Sequence, residues 1–339
     1  MLTRTAAKSS AKSSAMSNAK SKSSARVRLP QGLKIAVIVP CYNEEAAIGT
    51  VVKQFRAALP AADIYVYDNN SKDGTIAAAK KAGAIVNVET RQGKGHVVRR
   101  MFGDIDADVY VMIDGDATYD APSAPKMIAA LVAEKLDMVV GSRVDQEVEA
   151  YRPGHRFGNW ILTEFVKRIF GKSFNDILSG YRIFSRRFVK SFPALSTGFE
   201  IETELTVHSL ELGMPVAEIE TPYYARPEGS TSKLNTYRDG IRILWTIGKL
   251  FRTERPMQFF SIISFFFFLA SVVIAFPVFR TFFETGLVPR LPTAILAMAL
   301  MLLSFLSLMS GLILDTVTRG RRELKRLTYL SYPAPGNQR

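Results

Sequence analysis

Between residues 33 and 140, short apolar runs alternate with amphipathic stretches. The runs at 35–39, 64–67, 84–88, 109–113 and 138–140 have the length and branched-aliphatic content of buried strands. The stretches 44–58, 74–82, 95–102 and 123–134 space their apolar residues three and four apart, as helices do. This alternation predicts an α/β domain over 31–235, with a mostly parallel sheet covered by helices on both faces. Ligands on such sheets bind beyond the carboxyl ends of the strands. Polar clusters sit at those places: Pro40-Cys41-Tyr42-Asn43-Glu44, Asp68-Asn69-Asn70-Ser71, residues 91–95, Asp114-Gly115-Asp116 and Gly141-Ser142-Arg143. Five clusters far apart in sequence would form one rim in space.

Beyond residue 235 the pattern changes. Residues 259–279 and 291–314, runs of 21 and 24, carry no charge; each meets the roughly 20 residues needed to cross a bilayer core. Arg252 and Arg255 precede the pair, and Arg319, Arg321, Arg322, Lys325 and Arg326 follow it. By the positive-inside rule both flanks are cytoplasmic and the short loop 280–290 is external. We expect two transmembrane helices within 258–316, then a basic cytoplasmic tail over 317–339, in the cell inner (plasma) membrane. In 236–257, Ile241, Leu244, Trp245 and Phe251 fall at helical spacing among Arg238, Arg242, Lys249 and Arg252. That suits a helix in the headgroup plane; packing on the soluble body is the alternative.

Charge adds a further segment. Lys and Arg outnumber Asp and Glu by 44 to 31, and residues 1–30 hold seven basic side chains and no acid. A Ser/Ala-rich stretch of that kind cannot bury a core, so a disordered basic tail is expected; a transit peptide is the alternative. The single cysteine, Cys41, excludes an intrachain disulfide. A basic chain invites a nucleic-acid reading, but no nucleic-acid motif is present, and a membrane surface accounts for the charge.

The candidate chemistry starts at Asp114 and Asp116. They end a strand-like run, and residues i and i+2 of an extended chain point the same way. Two such carboxylates can converge on one Mg²⁺ or Mn²⁺ that bridges a substrate diphosphate. A solvated turn is the alternative for an isolated Asp-x-Asp; the preceding strand and the shared rim favour the metal.

At this point the chain resembles the family 2 glycosyltransferases, and within them the polyprenyl-phosphate (dolichyl-phosphate-mannose-synthase-like) branch with two C-terminal transmembrane helices. The matching motifs are 39–44, 68–75, Gly93-Lys94-Gly95, Asp114-Gly115-Asp116, Gly141-Ser142-Arg143, 176–182 and 226–233, in the family's order. The resemblance implies a GT-A fold and inverting transfer of one sugar from a nucleotide diphosphate, UDP-linked by preference, to a polyprenyl phosphate on the cytoplasmic face. It implies a donor site at Pro40, Tyr42, Glu44, Asp68, Lys94, Asp114 and Asp116, and an acceptor-phosphate site at Arg143, Arg156, Arg226 and Lys233. Asp116, Arg143 and Asp176 would be catalytic, with Asp176 either orienting the acceptor side or pairing with Arg182. The sequence departs from the family where Asn69 replaces a second acid and where Thr118 stands in place of a frequent Gln. The Gln-x-x-Arg-Trp motif of processive synthases is absent, which speaks against chain elongation. Self-association as a homo-oligomer stays open.

Two further groups carry structural expectations. Asp73 reads as a helix N-cap, and Glu200, Glu202 and Glu204 read as a solvated helix face. The alternatives to the enzyme reading are a nucleotide-sugar-binding membrane scaffold without chemistry and a transferase acting on another lipid acceptor.

Overall fold

The structure is a computed structural model that describes residues 29–30, 32–145, 164, 174, 176–227 and 236–336. Seven strands form one sheet in the order β3-β2-β1-β4-β6-β5-β7. They are β1 (Ile35–Cys41), β2 (Asp63–Asp68), β3 (Ile85–Val88), β4 (Val109–Met112), β5 (Met138–Asp145), β6 (Arg182–Ser185) and β7 (Val216–Tyr223). Among the described strands, only β6 runs antiparallel to its neighbours, β4 and β5. The expected mostly parallel α/β sheet is therefore present. The sequence pattern did not reveal β6 and β7, and β5 runs past 140, so Gly141, Ser142 and Arg143 lie within a strand paired with β7.

Strand alternation builds the core on both faces. Along β1, Ala36 and Ile38 enter one apolar cluster, while Ile35, Val37, Val39 and Cys41 enter the other. Tyr110 and Met112 of β4 face the first, Val109 and Val111 the second. Helices α1 (Glu45–Ala58), α2 (Thr75–Lys81), α3 (Lys94–Asp104) and α4 (Ala124–Ala133) connect these strands, as their spacing predicts. Pro40 is tolerated in central β1 because β4 has stopped pairing at Ile38, and only β2 continues beside it. Asp73 serves helix starts, taking the Thr75 N–H at 3.1 Å and the Glu45 N–H at 3.2 Å.

Helix α5 (Arg186–Ser191) follows β6, and α6 (Ile201–Glu211) precedes β7. Three helices then leave the sheet: α7 (Thr236–Glu254), α8 (Pro256–Thr285) and α9 (Leu291–Leu330). Helix α7 uses two faces. Ile247 is fully buried in the core of the body, whereas Ile241 and Trp245 are 70% and 78% exposed.

Helices α8 and α9 are both long and apolar enough to cross a membrane, and in their most apolar windows only 11% and 17% is buried. A soluble core helix would be mostly covered; these present Phe, Leu and Val outward, as membrane-associated helices do. They meet along Ser264, Ser271 and Val278 on α8 and Ala297, Ser304, Gly311 and Thr318 on α9, each spaced by seven. A seven-residue repeat keeps one seam facing its partner, and small residues let the backbones approach. The seam carries hydrogen bonds: the Ser271 hydroxyl donates to the Ala297 carbonyl at 2.7 Å, and the Ser264 and Ser304 hydroxyls lie 2.9 Å apart. Helix α9 continues beyond its apolar part to the body. There Tyr329 donates to Asp137 at 2.8 Å, and Lys325 pairs with Glu211 at 2.7 Å.

Candidate active site

The rim expected from the sequence is a cavity of about 330 Å³ at the carboxyl ends of β1, β2 and β4. Pro40, Tyr42, Glu44, Lys94, Asp114, Asp116, Arg143 and Arg226 all line it, joined by Asn69, Tyr119, Phe199, Glu202 and Tyr223. Most of the expected residues are thus brought together.

Local chain geometry places the acids. After β4 the backbone turns through Gly115 to Ala117, whose φ of 59° is the left-handed conformation that non-glycine residues rarely adopt. That turn folds Thr118 back, and its hydroxyl donates to Asp116 Oδ1 at 2.7 Å. Burial first, then the charge of Asp114, push the Asp116 carboxyl above its ordinary value, while Arg226 and Thr118 oppose the shift. Asp114 lies against Gly180, where a Cβ would strike its carboxylate.

Two cations answer the acids. Arg226 Nη2 stands 2.7 Å from Asp116 Oδ2. Lys94 Nζ lies 2.5 Å from both Asp114 Oδ1 and Glu202 Oε1. Burial disfavours the ammonium, but Asp114 and Glu202 outweigh it and hold Lys94 above its ordinary value. The loop carrying Lys94 is fixed by Asn69, whose Oδ1 accepts the Gly93 N–H at 2.7 Å. It is also packed against the 196–197 backbone so closely that only glycine fits at 93 and 95.

Some expected residues take other positions. Asp68 is 1% exposed and does not line the cavity; its Oδ2 accepts the Ser71 N–H at 3.0 Å, and its Oδ1 has no partner among the described residues. Asn69, one residue on, reaches the cavity instead, because strand neighbours face opposite ways. Asp176 also lies behind the wall. It holds Arg143 in a fork, with Nε to Oδ2 at 2.6 Å and Nη2 to Oδ1 at 2.8 Å, which makes it a positioning residue. It does not pair with Arg182, which gives its N–H groups to the Ser179 and Ile177 carbonyls and the Thr206 hydroxyl. Arg156 and Lys233 lie outside the described residues.

The expected solvated face of α6 is wrong. Glu200, Glu202 and Glu204 are 7%, 4% and 6% exposed. Glu204 takes the Leu195 and Ser196 N–H groups at 2.9 and 2.7 Å, and Glu202 enters the site. A signal existed: three acids interleaved with apolar residues and no Lys or Arg between 198 and 211. Solvated acidic helix faces usually carry cations beside the acids.

Asp114 and Asp116 fit a divalent cation by donor chemistry. Oxygen ligands suit Mg²⁺ or Mn²⁺, and two carboxylates plus substrate phosphates form a usual Mg²⁺ shell. Among the described residues no group of three or more His, Cys, Asp or Glu gathers, so a cation there would need oxygens from its ligand.

Residues 36–192 match the profile of glycosyl transferase family 2. Glycosyltransferase AglJ of Haloferax volcanii is 37% identical over 239 residues, 70% of this chain and 78% of that protein. The chain belongs to glycosyl transferase family 2. A dolichyl-phosphate hexose transferase of the same organism is 29% identical over 65% of this chain and 95% of its own length. Among solved structures, glucosyl-3-phosphoglycerate synthase from Mycobacterium tuberculosis, in complex with Mg²⁺ and UDP, superposes with a TM-score of 0.52 at 23% identity. That match covers 63% of this chain and 79% of the other. It shows the fold, a GT-A-like domain. The protein is therefore a glycosyltransferase of family 2 with two C-terminal apolar helices. Membership in an enzyme family sets aside the scaffold reading.

Proposed function

We propose that this glycosyltransferase moves a single hexose from a UDP-sugar to a polyprenyl phosphate at the cytoplasmic face of the cell inner membrane, with inversion. The observation that carries the reading is one cavity in which Asp114 and Asp116 face Arg143 and Arg226, in a chain with two helices long enough to span a bilayer. One pair suits a cation-bound diphosphate, the other a phosphate monoester. The relative named for dolichyl-phosphate hexose transfer and the structural neighbour holding Mg²⁺ and UDP support this division.

The residues divide the work. Pro40, Tyr42 and Glu44 wall the donor end of the cavity together with Asn69, and Asp68 lies just behind them. Asp114 and Asp116 would hold Mg²⁺ or Mn²⁺, which supplies Lewis-acid neutralisation of the departing diphosphate. Lys94 adds a fixed positive charge beside Asp114, kept in place by Glu202. Arg143, locked by Asp176 and lying 5.5 Å over the Tyr223 ring, holds an acceptor phosphate oxygen in line with the anomeric carbon. That nucleophile is already an anion at neutral pH, so no strong base is required. Arg156 and Lys233 are proposed to complete the acceptor-phosphate site. The outward apolar face of α7 lies on the membrane surface, and residues 1–30 form a basic tail.

The experiment is a panel. Full-length protein in nanodiscs is given labelled UDP- and GDP-sugars, with polyprenyl phosphate or diacylglycerol as acceptor. Label in polyprenyl phosphate from one UDP-sugar supports the reading. Label in diacylglycerol alone would redirect it to another lipid acceptor.

A further inference from the structure

Both carboxylates of the proposed cation site are already engaged by the protein's own cations. Asp116 gives one oxygen to Arg226 at 2.7 Å and the other to the Thr118 hydroxyl. Asp114 gives Oδ1 to Lys94. A divalent ion at Asp116 Oδ2 must compete with Arg226 for that oxygen, whereas Asp114 commits only Oδ1 to its own cation. The two cations differ in what would hold them afterwards. Lys94 keeps a second carboxylate, Glu202, at 2.5 Å. Arg226 has Asp116 as its one ion-pair partner among the described residues, and its Nη1 is buried with none.

We propose that Arg226 exchanges partners during the cycle: it holds Asp116 in the resting protein, and it passes to the acceptor's phosphate once a divalent cation and nucleotide diphosphate have claimed Asp116. The proposal rests on the cation and acceptor reading above. Its physical basis is that a guanidinium stays charged at any working pH. Displaced inside a partly desolvated cavity, it must find another anion or carry the cost of an unpaired, partly buried charge. A phosphate monoester supplies two oxygens to its planar fork, including the Nη1 that Asp116 leaves unused. Donor binding therefore creates the acceptor site, and the order of addition is built into one side chain. Linkage makes the effect reciprocal: acceptor phosphate must tighten the cation and nucleotide by the same factor.

The test measures binding, not turnover. Full-length protein in detergent is titrated with Mn²⁺, free ion being read by electron paramagnetic resonance, and separately with farnesyl phosphate with and without Mn²⁺ and UDP. Wild type should bind farnesyl phosphate at least about fivefold more tightly when Mn²⁺ and UDP are present. Arg226→Ala should bind Mn²⁺ alone about tenfold more tightly, because the competing ion pair is gone, and should lose the coupling. Arg226→Gln, which keeps the bulk without the charge, should behave alike. Unchanged or weaker Mn²⁺ binding by both variants overturns the exchange. Asp116→Ala separates the two levels of the argument. If it abolishes Mn²⁺ binding while the Arg226 variants leave it unaltered, only the exchange falls. If it leaves Mn²⁺ binding intact, the cation site itself is refuted.

Discussion

At Gly180 a methyl group would collide with the carboxylate of Asp114, the movable end of a side chain and not fixed backbone. The cheapest relief is for Asp114 to turn away, which spares the fold and spoils the site. Gly180→Ala should therefore melt within a few degrees of wild type yet lose about 10²-fold in sugar transfer, with Mn²⁺ binding weakened. A variant with full Mn²⁺ affinity would contradict the placement of Asp114. Residue-scale chemistry was unevenly legible in the sequence. Asp114 and Asp116 could be paired from their spacing after a strand-like run, although β4 ends at Met112 and the turn that follows sets both acids on the cavity. Glu202 could not, because its partner Lys94 is 108 positions away, and helical spacing alone does not say which face is covered. Which of Asp68 and Asn69 lines the cavity was hidden for a related reason: strand parity decides which of two neighbours sees it, and only the sheet register fixes that.

At the scale of elements, the instructive region is where α6, α7 and α9 meet. Glu211, Glu254, Arg321 and Lys325 converge there, with Lys325 2.7 Å from Glu211 and Arg321 3.1 Å from Glu254. Burial, then the charge of Glu211, raises the Glu254 carboxyl to about 7 from an ordinary 4.5. The folded protein thus keeps a proton that the unfolded chain releases, and between those pH values this group's contribution to stability falls as pH rises. Glu254→Gln mimics the protonated carboxyl, so it should gain melting temperature relative to wild type at pH 8 and show little difference at pH 5. An equal offset at both values would contradict the assignment. Further along α9, Tyr329 reaches Asp137, which is fully buried and also holds Arg187 and Ser185. Removing that carboxylate strands a partly buried guanidinium. Asp137→Ala should cost about 3–5 kcal/mol in denaturant unfolding, and a loss below 1 kcal/mol would show that this end of α9 is not anchored there. The sequence marked α9 by its apolar run, which stops at Leu314. Its continuation to Leu330 depends on partners in α5, α6 and α7 and on Asp137, just before β5, and no local pattern could supply them.

For the whole molecule, sheet, rim and apolar hairpin were legible because each has its own periodicity: two, 3.6, or an unbroken apolar run. Strands β6 and β7 were not, since both join the sheet through partners distant in sequence. The antiparallel β6 lies between β4 and β5 and needs no crossover helix beside it to announce it. The hairpin and its basic flanks predict a topology with the catalytic domain cytoplasmic. Cys41 is the one cysteine and is buried, so single cysteines can be introduced against a silent background. Gly286→Cys, between the spans, should react with an impermeant maleimide in intact cells. Gly336→Cys should react only after permeabilisation, and the reverse pattern would invert the proposed orientation.

The central claim is that a divalent ion held by Asp114 and Asp116 carries the sugar donor to a lipid phosphate. Its most direct test is transfer from a labelled UDP-sugar to polyprenyl phosphate by full-length protein in nanodiscs, with Mn²⁺, with EDTA, and with EDTA followed by Mn²⁺. The account predicts labelled lipid in the first case, loss in the second, recovery in the third, and none at all from Asp116→Ala. Undiminished transfer in EDTA, or by the Asp116 variant, would contradict it.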